Sequence, residues 1–374
     1  MTKRRGPGEG SIFQRKSDGR WTAILTVAYG KRKYFYGETQ KEVQEKLRRA
    51  QRELEQGTLV TGPQQTVKQF LEQWVENTYK PTVKLLSYIQ ARSIIKTHLV
   101  PGLGQVLLQK LTPDMLQALY RRTLDEGKKP STVQIIHKVL RRALEDAVKW
   151  GLVARNVAGL VTPPRVERHE VQALTVEQAK KLLACAKGSF LSALFVLALT
   201  TGMRRGELLA LRWSDVDFEQ ATVFVHRTVT RAAEYGLVEN EPKTKASRRR
   251  IMLSAIAVEA LKTHREEQGH VKTTAGERWQ EKELIFCDTN GNFLGPDKLA
   301  GEFTRLLQQA GLPHMRFHDL RHSAATISLV AGVHPKVVQE RLGHSTIAMT
   351  LDTYSHLLPS MQQDAATKID DLLK

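Results

Sequence analysis

Cysteine, acid and long apolar runs are all scarce in this chain of 374 residues. The two cysteines, Cys185 and Cys287, are far apart. Each follows apolar neighbours, Leu182-Leu183-Ala184 and Leu284-Ile285-Phe286. Such surroundings point to buried free thiols and away from a disulfide framework or a cysteine metal site. No apolar run reaches the roughly 18 residues that a membrane-spanning helix needs. The longest, near Phe190–Leu199, is also too far along the chain to be a signal peptide. The basic start, Met1-Thr2-Lys3-Arg4-Arg5, is not followed by a hydrophobic segment, so the chain reads as cytoplasmic. Internal repeats and low-complexity tracts are missing too. Acid is short by a wide margin: 39 Asp and Glu stand against 57 Lys and Arg, a formal net charge of +18. A field of that sign attracts polyanions, and nucleic acid is favoured because binding it releases counterions. Anionic membrane fits less well, since no amphipathic anchor is visible.

The length predicts two or three domains. Residues 1–60 read as three short strands around Ser11-Ile12-Phe13, Trp21–Val27 and Lys31–Tyr36, with turns at Asp18-Gly19 and Tyr29-Gly30. A helix follows, capped by Thr39 with Glu42 three residues on, and running to Leu54. Residues 1–57 carry fourteen Lys and Arg against seven Asp and Glu. Residues 61–165 read as all-helical. Val67, Phe70, Leu71, Trp74 and Val75 recur at helical spacing, as do Val133, Ile136, Val139, Leu140 and Leu144. Pro101-Gly102-Leu103-Gly104 is expected to break one helix from the next segment. Thr112-Pro113 and Ser131 are expected to start helices, the second presenting Lys138, Arg141 and Arg142. Thr162–Arg168 is a candidate linker. Residues 170–374 read as mostly helical with a small sheet: a helix capped by Thr175, a buried helix over Phe190–Thr200 stopped by Gly202, a turn at Phe218-Glu219-Gln220, a strand at Thr222–His226, the end of another strand at Ile251-Met252-Leu253, and helices over Pro296–Gln309 and Asp319–Val330. The polar stretch Gln268–Glu281 is expected to be a surface loop. The class is therefore multidomain α+β.

Four short segments carry the chemistry. They are Thr201-Gly202-Met203-Arg204-Arg205-Gly206-Glu207, Pro242-Lys243-Thr244-Lys245, His318-Asp319-Leu320-Arg321-His322, and Leu342-Gly343-His344 with Tyr354 ten residues later. A phosphodiester is a poor electrophile, and negative charge builds on its non-bridging oxygens as it is attacked. Planar, permanently charged guanidinium groups stabilise that charge well. A leaving 5′ oxygen needs a proton donor, and an ammonium can be one. A phenol can serve as the nucleophile when positive charge lies close to it. His318, Arg321 and His322 would share one face of a helix. Histidines four apart are also common zinc ligands, but with no cysteine near them no metal is expected.

In order and spacing these segments resemble the tyrosine recombinase, or phage integrase, family. The resemblance covers essentially the whole chain. It implies an arm-type DNA-binding domain over residues 1–60, a helical core-binding (SAM-like) domain over 61–165 and a catalytic domain over 170–374. It makes Arg204 and Arg321 the phosphate clamps, with the Thr-Gly-x-Arg pattern selecting Arg204 over Arg205. Tyr354 becomes the nucleophile of a 3′-phosphotyrosine intermediate. Lys243, or Lys245, becomes the proton donor. His318 accepts the tyrosine proton or bonds the phosphate, and His344 bonds a non-bridging oxygen. Glu207 and His322 support the site. Lys31, Arg32, Lys33, Lys138, Arg141, Arg142, Lys245, Arg248, Arg249 and Arg250 are expected to contact DNA. Five of the eight residues from Lys243 to Arg250 are basic, a solvated charge run on the DNA backbone. The implied partners are double-stranded DNA with its attachment sites, three further copies of the chain in a tetramer, and a host DNA-bending protein or directionality factor. Neither membrane nor cofactor is implied. The setting is a bacterial cytoplasm, on DNA. A type IB topoisomerase-like enzyme and a DNA-binding regulator with an inactive site remain as alternatives.

Overall fold

A computed structural model describes residues 10–26, 32–55, 63–167, 172–232, 234–241, 248–344, 346–347, 370 and 373. The chain divides into two compact units, Met1–Arg168 and His169–Lys374.

In the first unit, strands β1 (Gly10–Gln14), β2 (Trp21–Thr26) and β3 (Arg32–Gly37) form an antiparallel sheet in that order. Helix α1 (Gln40–Glu55) covers one face, with Val43, Leu47 and Ala50 on Ala23 and Leu25. Thr39 accepts from the Glu42 N–H at 3.2 Å, and the Glu42 carboxylate accepts from the Glu38 N–H at 3.0 Å. Period-two alternation along β3 leaves Arg32, Tyr34 and Tyr36 exposed on the opposite face.

The helical part of this unit holds α2 (Val67–Trp74), α3 (Leu85–Ile94), α4 (Val100–Leu103), α5 (Pro113–Asp125) and α6 (Pro130–Lys149). A reciprocal cap between Thr66 and Gln69 starts α2. Trp74 is buried and donates through Nε1 to Asp146 at 2.9 Å, which ties α2 to α6. Of the three boundaries expected here, two hold and one fails. The Pro101–Gly104 run does end a helix, since α4 stops at Leu103 with Gly104 as its cap, but Pro101 itself lies inside the helix. The turn over Ile95–Leu99 is widened, with the Val100 N–H bonded to the Ile95 carbonyl. A widened turn makes room for a proline ring that would crowd a regular helix. Ser131 is the expectation that fails: it is not a cap, because α6 already begins at Pro130 and its cap position is Lys129. Thr112 occupies the cap position of α5 but makes no side-chain cap bond.

The second unit opens with α7 (Val176–Ala186), which is started by a Thr175–Gln178 capping box. Helix α8 (Ser192–Thr201) is buried on all sides, from Ala193 to Leu199, which explains its unbroken apolar sequence. A short helix α9 (Arg205–Leu208) follows. Strands β4 (Val216–Asp217), β5 (Thr222–Val225), β6 (Thr228–Ala232), β7 (Gly236–Asn240) and β8 (Arg249–Met252) make an antiparallel sheet β4-β5-β8 and a hairpin β6-β7. Then come α10 (Ala255–Ala275), α11 (Pro296–Gln309), α12 (Asp319–Val330) and α13 (Pro335–Leu342). The expected loop at Gln268–Glu281 is corrected by α10, which continues to Ala275. Gln268 is buried there. Its amide donates to the carbonyls of Leu284 and Ile285 and accepts from Trp213 Nε1. Within the helix, the other polar residues of this stretch face solvent, while its one buried polar side chain, Gln268, is satisfied inside the fold.

Candidate active site

Two glycines frame the first arginine. Gly202 ends α8 in the left-handed region, φ 65°, and a Cβ there would strike Leu342 of α13. Gly206 sits against β6, where a Cβ would lie 2.5 Å from the Val229 carbonyl oxygen. Between them, Arg204 is the cap residue of α9 and is held by Glu207. Its Nη1 donates to Oε1 at 2.8 Å and its backbone N–H to Oε2 at 2.9 Å. Its Nη2 reaches the Gly343 carbonyl at 3.3 Å, next to His344. The Arg204 side chain keeps 37% of its surface exposed, whereas Glu207 keeps 3%.

Arg321 lies on the first turn of α12 and is buried. Its Nη1 donates to the Gly202 carbonyl at 2.8 Å, two residues from Arg204. His318 and His322 flank it with ring centroids 5.6 Å apart and planes at 90°. His344 follows the left-handed Gly343 that ends α13. Its backbone is fixed at both ends by Gln339: the His344 N–H donates to the Gln339 carbonyl at 3.1 Å, and the Gln339 amide donates to the His344 carbonyl at 2.9 Å.

The electrostatics follow from this crowding. His318 is open to solvent on one side, yet burial of the ring and then the charges of His322 and Arg321 push its pKa down to about 4. His344 is pushed down to about 4 by burial, then by Arg321 and Arg204. His322 is lowered by burial, against the pull of Asp319. All three imidazoles are neutral near pH 7, so each offers one donor and one acceptor. Burial alone would raise the Glu207 carboxyl, but hydrogen bonds from Arg249 and the charges of Arg249 and Arg204 outweigh it and hold the group low. Asp319 follows His318 at the position where some zinc hydrolases carry their base. Its carboxylate is instead bound by the Arg316 guanidinium at 2.9 and 3.2 Å and by the Arg316 N–H. Among the described residues, no group of three or more His, Cys, Asp or Glu is placed to hold a metal ion.

Arg204, Glu207, His318, Arg321, His322 and His344 therefore converge from distant parts of the sequence. Lys31, Lys243, Lys245 and Tyr354 lie outside the described residues. The remaining basic positions are dispersed. Arg32 is exposed, Lys33 lies 5.8 Å from the Phe35 ring, and Lys138, Arg141 and Arg142 stand on the solvent face of α6. Arg248 pairs with Glu241 at 2.6 Å, and Arg250 lies 5.9 Å from the Phe224 ring. Arg249 departs from the solvated charge run read in the sequence. It is buried, donating to both oxygens of Glu207 and, through Nε, to the Arg341 carbonyl at 2.6 Å. The signal was present in the alternation: Arg249, Ile251 and Leu253 face inward while Arg248, Arg250 and Met252 face out. Arg341 was not singled out. It reaches the Met252 and Thr200 carbonyls at 3.2 and 2.9 Å, tying α13 to β8 and α8.

A fold of helices and small sheets around paired arginines and neutral imidazoles defines a class of phosphodiester-handling catalytic domain. Comparison with known proteins makes the class specific. A family model described as Phage integrase family matches residues 172–361, and one described as Phage integrase, N-terminal SAM-like domain matches residues 66–124. A Tyrosine recombinase XerC-like protein of Caldanaerobacter subterraneus is 30% identical over 364 residues, covering 91% of this chain and 92% of its own length. Among solved structures, the Tn1549 transposon integrase in complex with transposon right end DNA superposes with a TM-score of 0.67 at 22% identity. It covers 83% of this chain and 100% of that one. A lambda integrase tetramer bound to a Holliday junction gives 0.57 at 20% identity, covering 92% and 97%. The chain belongs to the phage integrase family of tyrosine recombinases and is a site-specific integrase that cleaves and rejoins DNA.

Proposed function

We propose that this integrase cuts one strand at a time through Tyr354 and serves a phage or other mobile element. The observation that carries the reading is the convergence of Arg204, Arg321, His318 and His344 on one site. The two guanidinium groups clamp the non-bridging oxygens of the scissile phosphate and take up the charge that develops there. The Tyr354 oxygen attacks phosphorus, and the P–O5′ bond breaks. The tyrosine proton passes to His318, whose neutral ring can accept it, while His344 donates to a non-bridging oxygen. Lys243, or Lys245, protonates the departing 5′ oxygen. The products are a 3′-phosphotyrosine and a free 5′-hydroxyl. Rejoining runs the same bonds in reverse: a 5′-hydroxyl from the partner duplex attacks phosphorus, and the tyrosine leaves. The bond energy stays in the covalent link, so no nucleotide cofactor enters the balance.

Residues 1–60 act as the arm-binding domain, residues 61–165 grip the core site together with the catalytic domain of residues 170–374, and four copies assemble on two duplexes. The solved lambda integrase tetramer on a Holliday junction supports that stoichiometry. A host DNA-bending protein or directionality factor would set the direction. The test is to denature the protein from cells carrying its element, then recover and sequence the DNA that stays attached. Attachment to Tyr354 through a 3′ phosphate, at one recurring sequence, is the expected result. Attachment through a 5′ phosphate or to another residue would refute the mechanism. Scattered sequences would favour a relaxing enzyme over an integrase.

A further inference from the structure

Glu207 is shared by two arginines whose surroundings differ. Arg204 stands at the site with 37% of its side chain exposed. Arg249 lies behind the carboxylate, with 7% exposed, on the strand that follows residues 242–247. Both carboxylate oxygens serve both arginines. Oε1 accepts from Arg204 Nη1 at 2.8 Å and from Arg249 Nη1 at 3.3 Å. Oε2 accepts from the Arg204 N–H and from Arg249 Nη2, each at 2.9 Å. Arg249 is too deeply enclosed to reach DNA, so its positive charge acts inside the protein.

We propose that Arg249 is a positioning residue that keeps the charge of Arg204 available to the scissile phosphate. The inference rests on the reading of Arg204 as a phosphate clamp. An isolated Arg204–Glu207 pair would sum to zero, and its guanidinium would be held by a full counter-charge in a poorly screened place. With Arg249 behind the carboxylate, the three groups sum to +1 at the front, where the phosphate arrives. The geometry stays set, because Glu207 still fixes Arg204 at two points. Arg249 also locks this arrangement to α13 through the Arg341 carbonyl at 2.6 Å. That same helix leads into Gly343, whose carbonyl holds Arg204 Nη2, and His344.

The experiment measures covalent adduct formation in single turnover, on a nicked core-site duplex built from the sequence recovered by covalent trapping. R249M should bind this DNA as wild type does, and should form adduct slower by on the order of ten- to a hundredfold. Two further measurements separate a charge effect from a packing defect. On a duplex whose scissile phosphate is replaced by a neutral methylphosphonate, the loss in R249M should shrink, because less negative charge has to be met. Adding E207Q to R249M should speed adduct formation again, since removing the carboxylate charge restores +1 at the front. A wild-type rate in R249M overturns the proposal. So does a loss of equal size on both duplexes together with no gain from E207Q. If R249M alone does not fold, the double variant decides: it lacks the buried counter-charge, should fold and should form adduct within about tenfold of wild type. A folded, DNA-binding double variant without adduct overturns the proposal. R204A is the control for the underlying reading. If its loss does not shrink on the methylphosphonate duplex, the clamp assignment of Arg204 fails, whatever Arg249 does.

Discussion

Among the described residues, buried arginines occur in the second unit of this chain, while arginines in open pairs occur in both. In the second unit, Arg249 and Arg321 are buried, and Glu207, with 3% exposed, is bound by two guanidinium groups at once. In the first unit, Arg49–Glu53, Arg122–Glu126 and Arg141–Glu145 are pairs one helical turn apart on open faces, with the Arg49 side chain 84% exposed. Open pairs are worth about 0–1 kcal/mol and fade with salt. They can exchange a carboxylate for a phosphate at little cost. Buried guanidinium groups are costly to assemble, and breaking such a set costs about 3–5 kcal/mol. That cost makes sense where charge must stand ready before the substrate arrives. The proposed mechanism turns this contrast into one between arginines that serve the reaction and arginines that serve the grip.

The largest expected effect breaks the reaction and leaves the grip. Tyr354→Phe removes one hydroxyl oxygen. Affinity for core-site DNA, read by titration, should barely change, because it rests on many phosphate contacts. Covalent adduct on a nicked core-site duplex should vanish, because the proposed mechanism has no second nucleophile. Adduct persisting in this variant would remove Tyr354 from the mechanism. Next in size is Arg204→Ala. One lost donor on a developing oxyanion costs on the order of a hundredfold or more in rate. Adduct should form that much more slowly while DNA affinity falls only slightly. A large loss of affinity with an unchanged rate would move Arg204 from the reaction to the grip.

Removing residues 1–57 tests the other side. Cleavage of a core site should survive, since the groups brought together around Arg204 all lie between residues 204 and 344. Integration in cells should fall. If the shortened chain integrates as well as the full one, residues 1–60 are not an arm-binding domain. If it cannot cut core DNA, they are needed for cleavage itself.

Most of the fold was legible because its cues are local. The Thr175 cap, the Gly202 stop and the bounds of α11 and α12 all follow from short-range chemistry. The misreadings share a cause. Gln268–Glu281 read as a loop because its residues are polar, yet Gln268 is satisfied by carbonyls sixteen and seventeen positions away. Arg249 read as surface because charge was counted along the run, while strand alternation places it inside with Ile251. The grouping of the site was visible as types and order. Which arginine faces outward was not, since that depends on Glu207 accepting from residues 3 and 42 positions away.

A smaller effect concerns pH. His318 and His344 are held near pKa 4 in the folded chain, while an unfolded chain has ordinary imidazoles near 6.5. Between those values the unfolded state binds more protons, so stability is full above about pH 6.5 and is lost as pH falls toward 4. The melting temperature should drop between pH 7 and pH 5. The drop should be shallower in a His318→Asn, His344→Asn double variant. A flat profile in the native chain would mean that these rings are not depressed.

The smallest effect returns to the open charges. Arg141 and Arg142 on α6 pair with Glu145 at 3.3 Å and with Asp146 at 3.8 Å. Replacing both with alanine should change folding stability little, by about 1 kcal/mol, because both arginines are exposed and the buried Asp146 keeps Trp74 Nε1 and Lys149 as partners. If each contacts one phosphate, the dependence of log Kd on log salt should become less steep by roughly 1.8, and affinity should fall evenly across DNA sequences. Measured at two salt concentrations, the loss of affinity should be smaller at the higher one. The rate of adduct formation at saturating DNA should not move, because neither residue belongs to the set held around Glu207. An unchanged salt slope would show that the solvent face of α6 does not meet the DNA backbone. A slower saturated rate would erase the distinction between arginines that grip and arginines that react.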